Sequence, residues 1–247
     1  MKAAALLILC CVVFSRDAQA DRQYIEDVDR SFIGVLDLSK RYGGYEEWLR
    51  AAWGVEDPEL AFELSDGSPS TSVTNRLKAT QFTMLETSYE YPSVLVYGRM
   101  NNPRQGDWIQ VHIDGEPKWL RMQDARNFST YTSLFDQGRV AYLLDQDIMI
   151  AENPGGKTIR KVFTPSDQNI TTSSTHWNPE ISVIGEATIT LFSQETGKRT
   201  TRNWFKIKVT DQPSCGGVEE AKVIAEGWIP ARRDDGEISV WFYPRGC

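Results

Sequence analysis

The chain has 247 residues, with 27 Lys and Arg against 34 Asp and Glu, for a formal net charge of −7. That acidic balance argues against sequence-independent nucleic-acid binding, which depends on basic charge. It also provides no polybasic anchor for anionic lipid.

Residues 1–20 read as a secretory signal peptide: Lys2, an apolar run from Ala3 to Phe14, then Ala18-Gln19-Ala20 as a small-x-small cleavage site. The run is too short to span about 30 Å of hydrocarbon, and no later stretch approaches a transmembrane length. Leu9 and Cys10 precede Cys10 and Cys11, where lipoprotein processing prefers Gly, Ala or Ser. The expected product is exported, to the periplasm or beyond, and begins at Asp21. Without Lys2, Arg16 and Asp17 it carries 25 basic and 33 acidic residues. Two cysteines remain in it, Cys215 and Cys247, and outside the cytosol an even count favours a disulfide. Closing a loop of that length stabilises by roughly 3–4 kcal/mol in the chain-entropy account. A metal site or catalytic thiol is the competing reading. His112 and His176, the only histidines, are not at ligand spacing from either cysteine.

Residues 21–57 are expected to form a helical N-terminal segment. In Gly44–Gly54, the residues Tyr45, Trp48, Leu49, Ala52 and Trp53 recur at i, i+3, i+4, i+7 and i+8, one face of a helix. Such a stripe either docks on the domain behind it or offers a partner groove; docking is the commoner case.

From Pro58 the pattern becomes short alternating runs bounded by Gly, Pro, Asn and Ser, the signature of strands and turns. Asp114-Gly115 between two apolar runs is a strong hairpin signal. The alternation in "WIQVHI" sets Trp108, Gln110 and His112 on one face and Ile109, Val111 and Ile113 on the other. The pattern restarts at Arg139. A long hairpin is expected across Glu195–Lys198. Residues 58–138 and 139–247 therefore read as two β units, and the fold class is mainly β.

The two units can be laid on each other. "FELSDGSPSTSVTNRL" (Phe62–Leu77) corresponds to "IMIAENPGGKTIRKV" (Ile148–Val162), "GDWIQVHI" to "RNWFKIKV", and "EPKWLRM" to "AEGWIPA". The order is the same in both. The tryptophans stand 11 apart in the first (Trp108, Trp119) and 24 apart in the second (Trp204, Trp228).

These blocks resemble the bacterial SH3 family (SH3b) of small barrels: a strand, a Gly/Ser/Pro loop, a strand, then a "W-x-x-V" strand and a closing "G-W" strand. The chain departs from the family at Lys118, where Gly is usual, and in long inserts at 86–105, 164–180 and 211–224. The resemblance implies two tandem SH3-like barrels and a binding or targeting module. Closure would also remove sheet edges, an aggregation hazard in so β-rich a chain.

Recognisable catalytic chemistry is missing. Envelope cysteine peptidases place Cys before His, and here both histidines precede Cys215. No Gly-x-Ser-x-Gly is present, no spaced zinc ligand set, and no complete phosphate loop around "NPGGKT". No cofactor or metal is expected. A glycosidase carboxylate pair hidden among the acidic residues is the enzymatic alternative. An assembly factor acting through the N-terminal helix is a third reading. The leading expectation is non-catalytic binding of cell-wall glycan (peptidoglycan), peptide or an envelope protein. Tyr89, Tyr91 and Tyr97 around Pro92, with Trp108, are the candidate aromatic groove, as SH3-like barrels use for extended ligands. Trp177 is a second candidate contact.

Overall fold

The computed structural model describes residues 25–67, 71–102, 106–122, 127–135, 139–144, 148–162, 180–192, 197–210 and 221–242. Trp177, Cys215 and Cys247 lie outside the described residues, as does the expected signal peptide.

The described chain is mainly β, with one α-helix and sixteen strands. In order these are β1 (Gly34–Leu36), the helix α1 (Tyr45–Ala52), β2 (Leu60–Ser65), β3 (Val73–Leu77), β4 (Met84–Ser88), β5 (Tyr91–Val96), β6 (Gly98–Asn102), β7 (Gly106–Ile113), β8 (Glu116–Met122) and β9 (Phe128–Thr130). Then come β10 (Val140–Leu143), β11 (Ile148–Ala151), β12 (Thr158–Val162), β13 (Glu180–Phe192), β14 (Arg199–Thr210), β15 (Val223–Pro230) and β16 (Val240–Phe242).

They form three sheets: a five-stranded one in the order β3-β2-β8-β7-β6, a seven-stranded one in the order β12-β11-β15-β14-β13-β10-β16, and a four-stranded one in the order β4-β5-β1-β9. The four-stranded sheet lies between the other two. Alternation along its strands sends Val35, Leu85 and Leu95 into one core, shared with Ile150, Phe205, Ile207 and Ile229 of the seven-stranded sheet. Leu36, Val94 and Val96 enter a second core with Ile109, Val111 and Leu120 of the five-stranded sheet and with Trp48 of α1.

Residues expected to be wholly helical thus supply β1, an inner strand paired with both β5 and β9. Three residues are too few for alternation to announce a strand, and the pairing that creates it is non-local. Gly34 is required there, since a Cβ would meet the Ser129 carbonyl oxygen at 2.2 Å. The helix itself is eight residues long and buries Trp48, Ala51 and Ala52. Leu49 and Trp53 are half-buried, so the buried face is narrower than the stripe in the sequence. The indole N–H of Trp48 donates to the Pro92 carbonyl at 2.9 Å, tying helix to sheet.

Tyr131 is a principal tie on the other side. Its hydroxyl donates to the Val240 carbonyl at 2.6 Å. Phe32, Phe135 and Phe205 meet its ring edge-on. Full burial holds its ionisation above the ordinary phenol range.

The sequence repeat coincides with a repeat of strand order. β3-β2-β8-β7-β6 and β12-β11-β15-β14-β13 are one plan. Numbering the strands of each unit one to five along the chain, the order is 2-1-5-4-3. Among the described residues no sheet closes into a barrel, and the expected tandem barrels stand instead as open sheets. A ring of these five strands would need the second and third to pair, β3 with β6 and β12 with β13, and those pairings are not made. In the first unit the chain between β3 and β6 leaves to build β4 and β5 of the central sheet. The corresponding segment of the second unit lies outside the described residues.

Candidate ligand-binding site

The tryptophans hold the same register in both units. Gln110, two residues after Trp108, pairs with Trp119, and Lys206, two residues after Trp204, pairs with Trp228. Gly98 pairs with Gln110 and Gly185 with Lys206. Ser65 pairs with Trp119 and Ala151 with Trp228. Ile109, Val111 and Ile113 face the core in the first unit; Phe205, Ile207 and Val209 do so in the second. The tryptophans therefore occupy the opposite face of each sheet.

Trp108 is nonetheless only 1% exposed and Trp204 only 9%. The indole N–H of each is buried with no acceptor among the described residues. Trp119 and Trp228 are half-buried. A ligand on this face therefore meets Trp119 before Trp108. Around the first pair, Arg121 donates to Glu63 at 2.6 Å and Ser72 donates to the same carboxylate at 2.7 Å. Those two hydrogen bonds hold the Glu63 carboxyl below its usual range.

The candidate tyrosines separate into two places. Tyr91 and Tyr97 begin and follow β5, about 20 Å apart at the rise of an extended strand. Tyr97 stacks on His112, with centroids 3.9 Å apart and planes at 9°. Burial, with the nearby Asp29 charge, pushes its ionisation up, and its hydroxyl has no partner among the described residues. It packs against the core shared with the seven-stranded sheet. The Tyr97 ring is therefore engaged in holding sheets together.

Tyr91 belongs to a more open arrangement. It stacks nearly parallel on Tyr45, centroids 5.4 Å apart at 12°. The Asp37 carboxylate and the Ser39 hydroxyl lie near its own hydroxyl, the first raising its pKa and the second lowering it. Burial first, then the nearby Asp37 carboxylate, raises its pKa to about 12. Asp37 accepts from the Ser39 backbone N–H at 2.7 Å. Tyr45 remains 42% exposed, and Tyr89, in the turn entering β5, is 61% exposed. Glu86 accepts from the Glu90 backbone N–H at 2.7 Å and fixes this turn, where Glu90 adopts a positive φ of 54°.

The scaffold beneath this patch is rigid: Trp48 is fully buried, stacked obliquely on Tyr42 and hydrogen-bonded to Pro92 next to Tyr91. The result is an exposed aromatic platform whose flank carries a carboxylate and hydroxyls. It offers apolar area, hydrogen-bond acceptors and donors, and no nucleophile–base pair. Sequence reasoning named Tyr89 and Tyr91 but assigned Tyr45 to a buried stripe. Tyr45 heads α1, and at a helix end one turn decides between core and solvent.

Among the described residues, no group of three or more His, Cys, Asp and Glu is placed to hold a metal ion. No helix among them is long and apolar enough to cross a membrane. No family model matches the chain, and neither a curated protein nor a solved structure matches it.

Proposed function

We propose that this chain is an exported, non-catalytic binding protein that recognises cell-wall glycan or peptide on the Tyr45–Tyr91 platform. The observation that carries the proposal is the stacked, partly exposed tyrosine pair, with the Asp37 carboxylate and the Ser39 hydroxyl near Tyr91. Stacked rings present a flat apolar surface to a sugar face or a peptide side chain, and fixed polar groups beside them supply orientation. Tyrosine gives large contact area at a small entropic cost.

The SH3-like reading belongs to the same proposal. In its support, each five-stranded unit has the strand order of a five-membered ring opened between its second and third strands. Two of the three long inserts that set the chain apart from the family, 86–105 and 164–180, fall in the stretch of chain where that ring is open. The export route rests on the N-terminal sequence, and the Cys215–Cys247 bridge on the compartment it implies.

The test is sedimentation of the mature chain with purified peptidoglycan sacculi. A Tyr45→Ala/Tyr91→Ala variant is expected to bind about tenfold more weakly, about 1.4 kcal/mol. Unchanged binding removes the platform from the interface. Muropeptide release by the wild type would overturn the non-catalytic reading, and wild-type protein left in the supernatant would overturn the ligand class.

A further inference from the structure

The seven-stranded sheet carries an open edge. β13 is thirteen residues long, but its neighbour β10 pairs only with Ile181 and Ser182. Beyond Ser182, no described strand lies on that side of β13. The stretch Ile184–Phe192 is about 30 Å of strand with one charged residue, Glu186, and no proline. Ile184 is 46% exposed, Leu191 39% and Phe192 61%. Natural proteins blunt such edges with lysines, prolines, bulges or covering segments. Here the one such device within β13 is the register shift between Val183 and Gly185, at the start of the stretch.

We propose that this edge pairs antiparallel with the same edge of a second copy, across a twofold axis at Thr188. Two features choose this partner and register. First, Thr188 is the midpoint of Ile184–Phe192, so centring there uses the whole open stretch and stops short of β10. Second, side chains and charge match in that register. Ile184 faces Phe192 of the second copy, so the most exposed apolar groups cover each other. Glu186 faces Thr190 of the second copy, and Thr188 faces its own counterpart. Centring on Glu186 would oppose two carboxylates, which is destabilising. A register of odd sum would set a residue of one face against a residue of the other. The two seven-stranded sheets then run on as one, and the isologous contact closes.

Single-cysteine variants of the full mature chain test both the pairing and the register, with the wild type, which keeps its native cysteines, as background. Residues directly opposite have Cα atoms within disulfide range. Thr188→Cys is expected to form a covalent dimer under mild oxidation, while Glu186→Cys, offset from its own copy, stays at background. Sedimentation is expected to give the wild type as a dimer and Phe192→Glu as a monomer with unchanged circular dichroism. A wild type that is monomeric at about 100 µM would overturn the pairing, and cross-linking of Glu186→Cys above Thr188→Cys would overturn the register.

Discussion

The two five-stranded units keep the same strand order and tryptophan register, yet they differ in what lies outside that frame. In the first, the chain between the second and third strands turns back into the central sheet, and its tryptophan face is polar, with Ser65, Gln110 and the Glu63–Arg121 pair. In the second, the matching positions hold Ala151, Lys206, Met149 and Pro230, and the third strand runs far past its neighbour. What recurs is what the core demands. Leu64, Ile109, Val111 and Leu120 correspond to Ile150, Phe205, Ile207 and Ile229, all buried. The surfaces and inserts, free of that constraint, differ.

The sharpest test of this equivalence is removal of the paired tryptophans. Trp108→Ala and Trp204→Ala should each cost about 3–5 kcal/mol, as for other buried large-to-small changes. Chemical denaturation measures both. Losses that differ by more than about twofold would break the correspondence, within the scatter expected at fixed chemistry.

A smaller effect distinguishes the units at one position. Gly227 pairs with Ile207 as Lys118 pairs with Val111. A Cβ on Gly227 would meet Ile150 Cγ2 at 2.3 Å and the Ala151 carbonyl oxygen at 2.7 Å. Lys118 reaches outward to Asp66 at 2.7 Å. Gly227→Ala should therefore cost about 1–3 kcal/mol through overpacking. Lys118→Ala should leave the denaturation midpoint close to the wild type, since an exposed ion pair contributes little.

The smallest effect concerns acid. Glu63 has its pKa depressed in the folded chain, so its contribution is present above the unfolded carboxylate value and is lost as pH falls through the folded one. Met149 stands at that place in the second unit. Glu63→Gln should flatten the acid limb of stability between about pH 5 and pH 3. A Met149→Gln control should leave that limb unchanged. Urea midpoints across the range would read both.

Much of this was legible in the sequence because it is local. The "W-apolar-polar-apolar" blocks gave the repeat and the faces of β7. The Asp114-Gly115 turn gave the β7–β8 hairpin. The central sheet was not legible, since β1 is three residues long and its partners lie about sixty and ninety-five residues away. For the candidate site, the aromatic cluster around Pro92 named Tyr89, Tyr91 and Tyr97 with Trp108, but the division of roles came from pairing. Tyr97 follows the same strand as Tyr91 yet is stacked on His112 at the opposite end. Trp108 sits off the core face as alternation requires, and is buried there all the same.

The central functional claim is that the tyrosine platform, rather than the tryptophan pairs, meets the ligand. Amide and indole chemical-shift mapping of the mature chain with soluble peptidoglycan fragments addresses it most directly. The expected result is saturable shifts at Asp37, Ser39, Tyr45 and Tyr91, with the Trp119 and Trp228 indoles unmoved. Shifts confined to Trp119 or Trp228, with the tyrosine platform silent, would contradict the account.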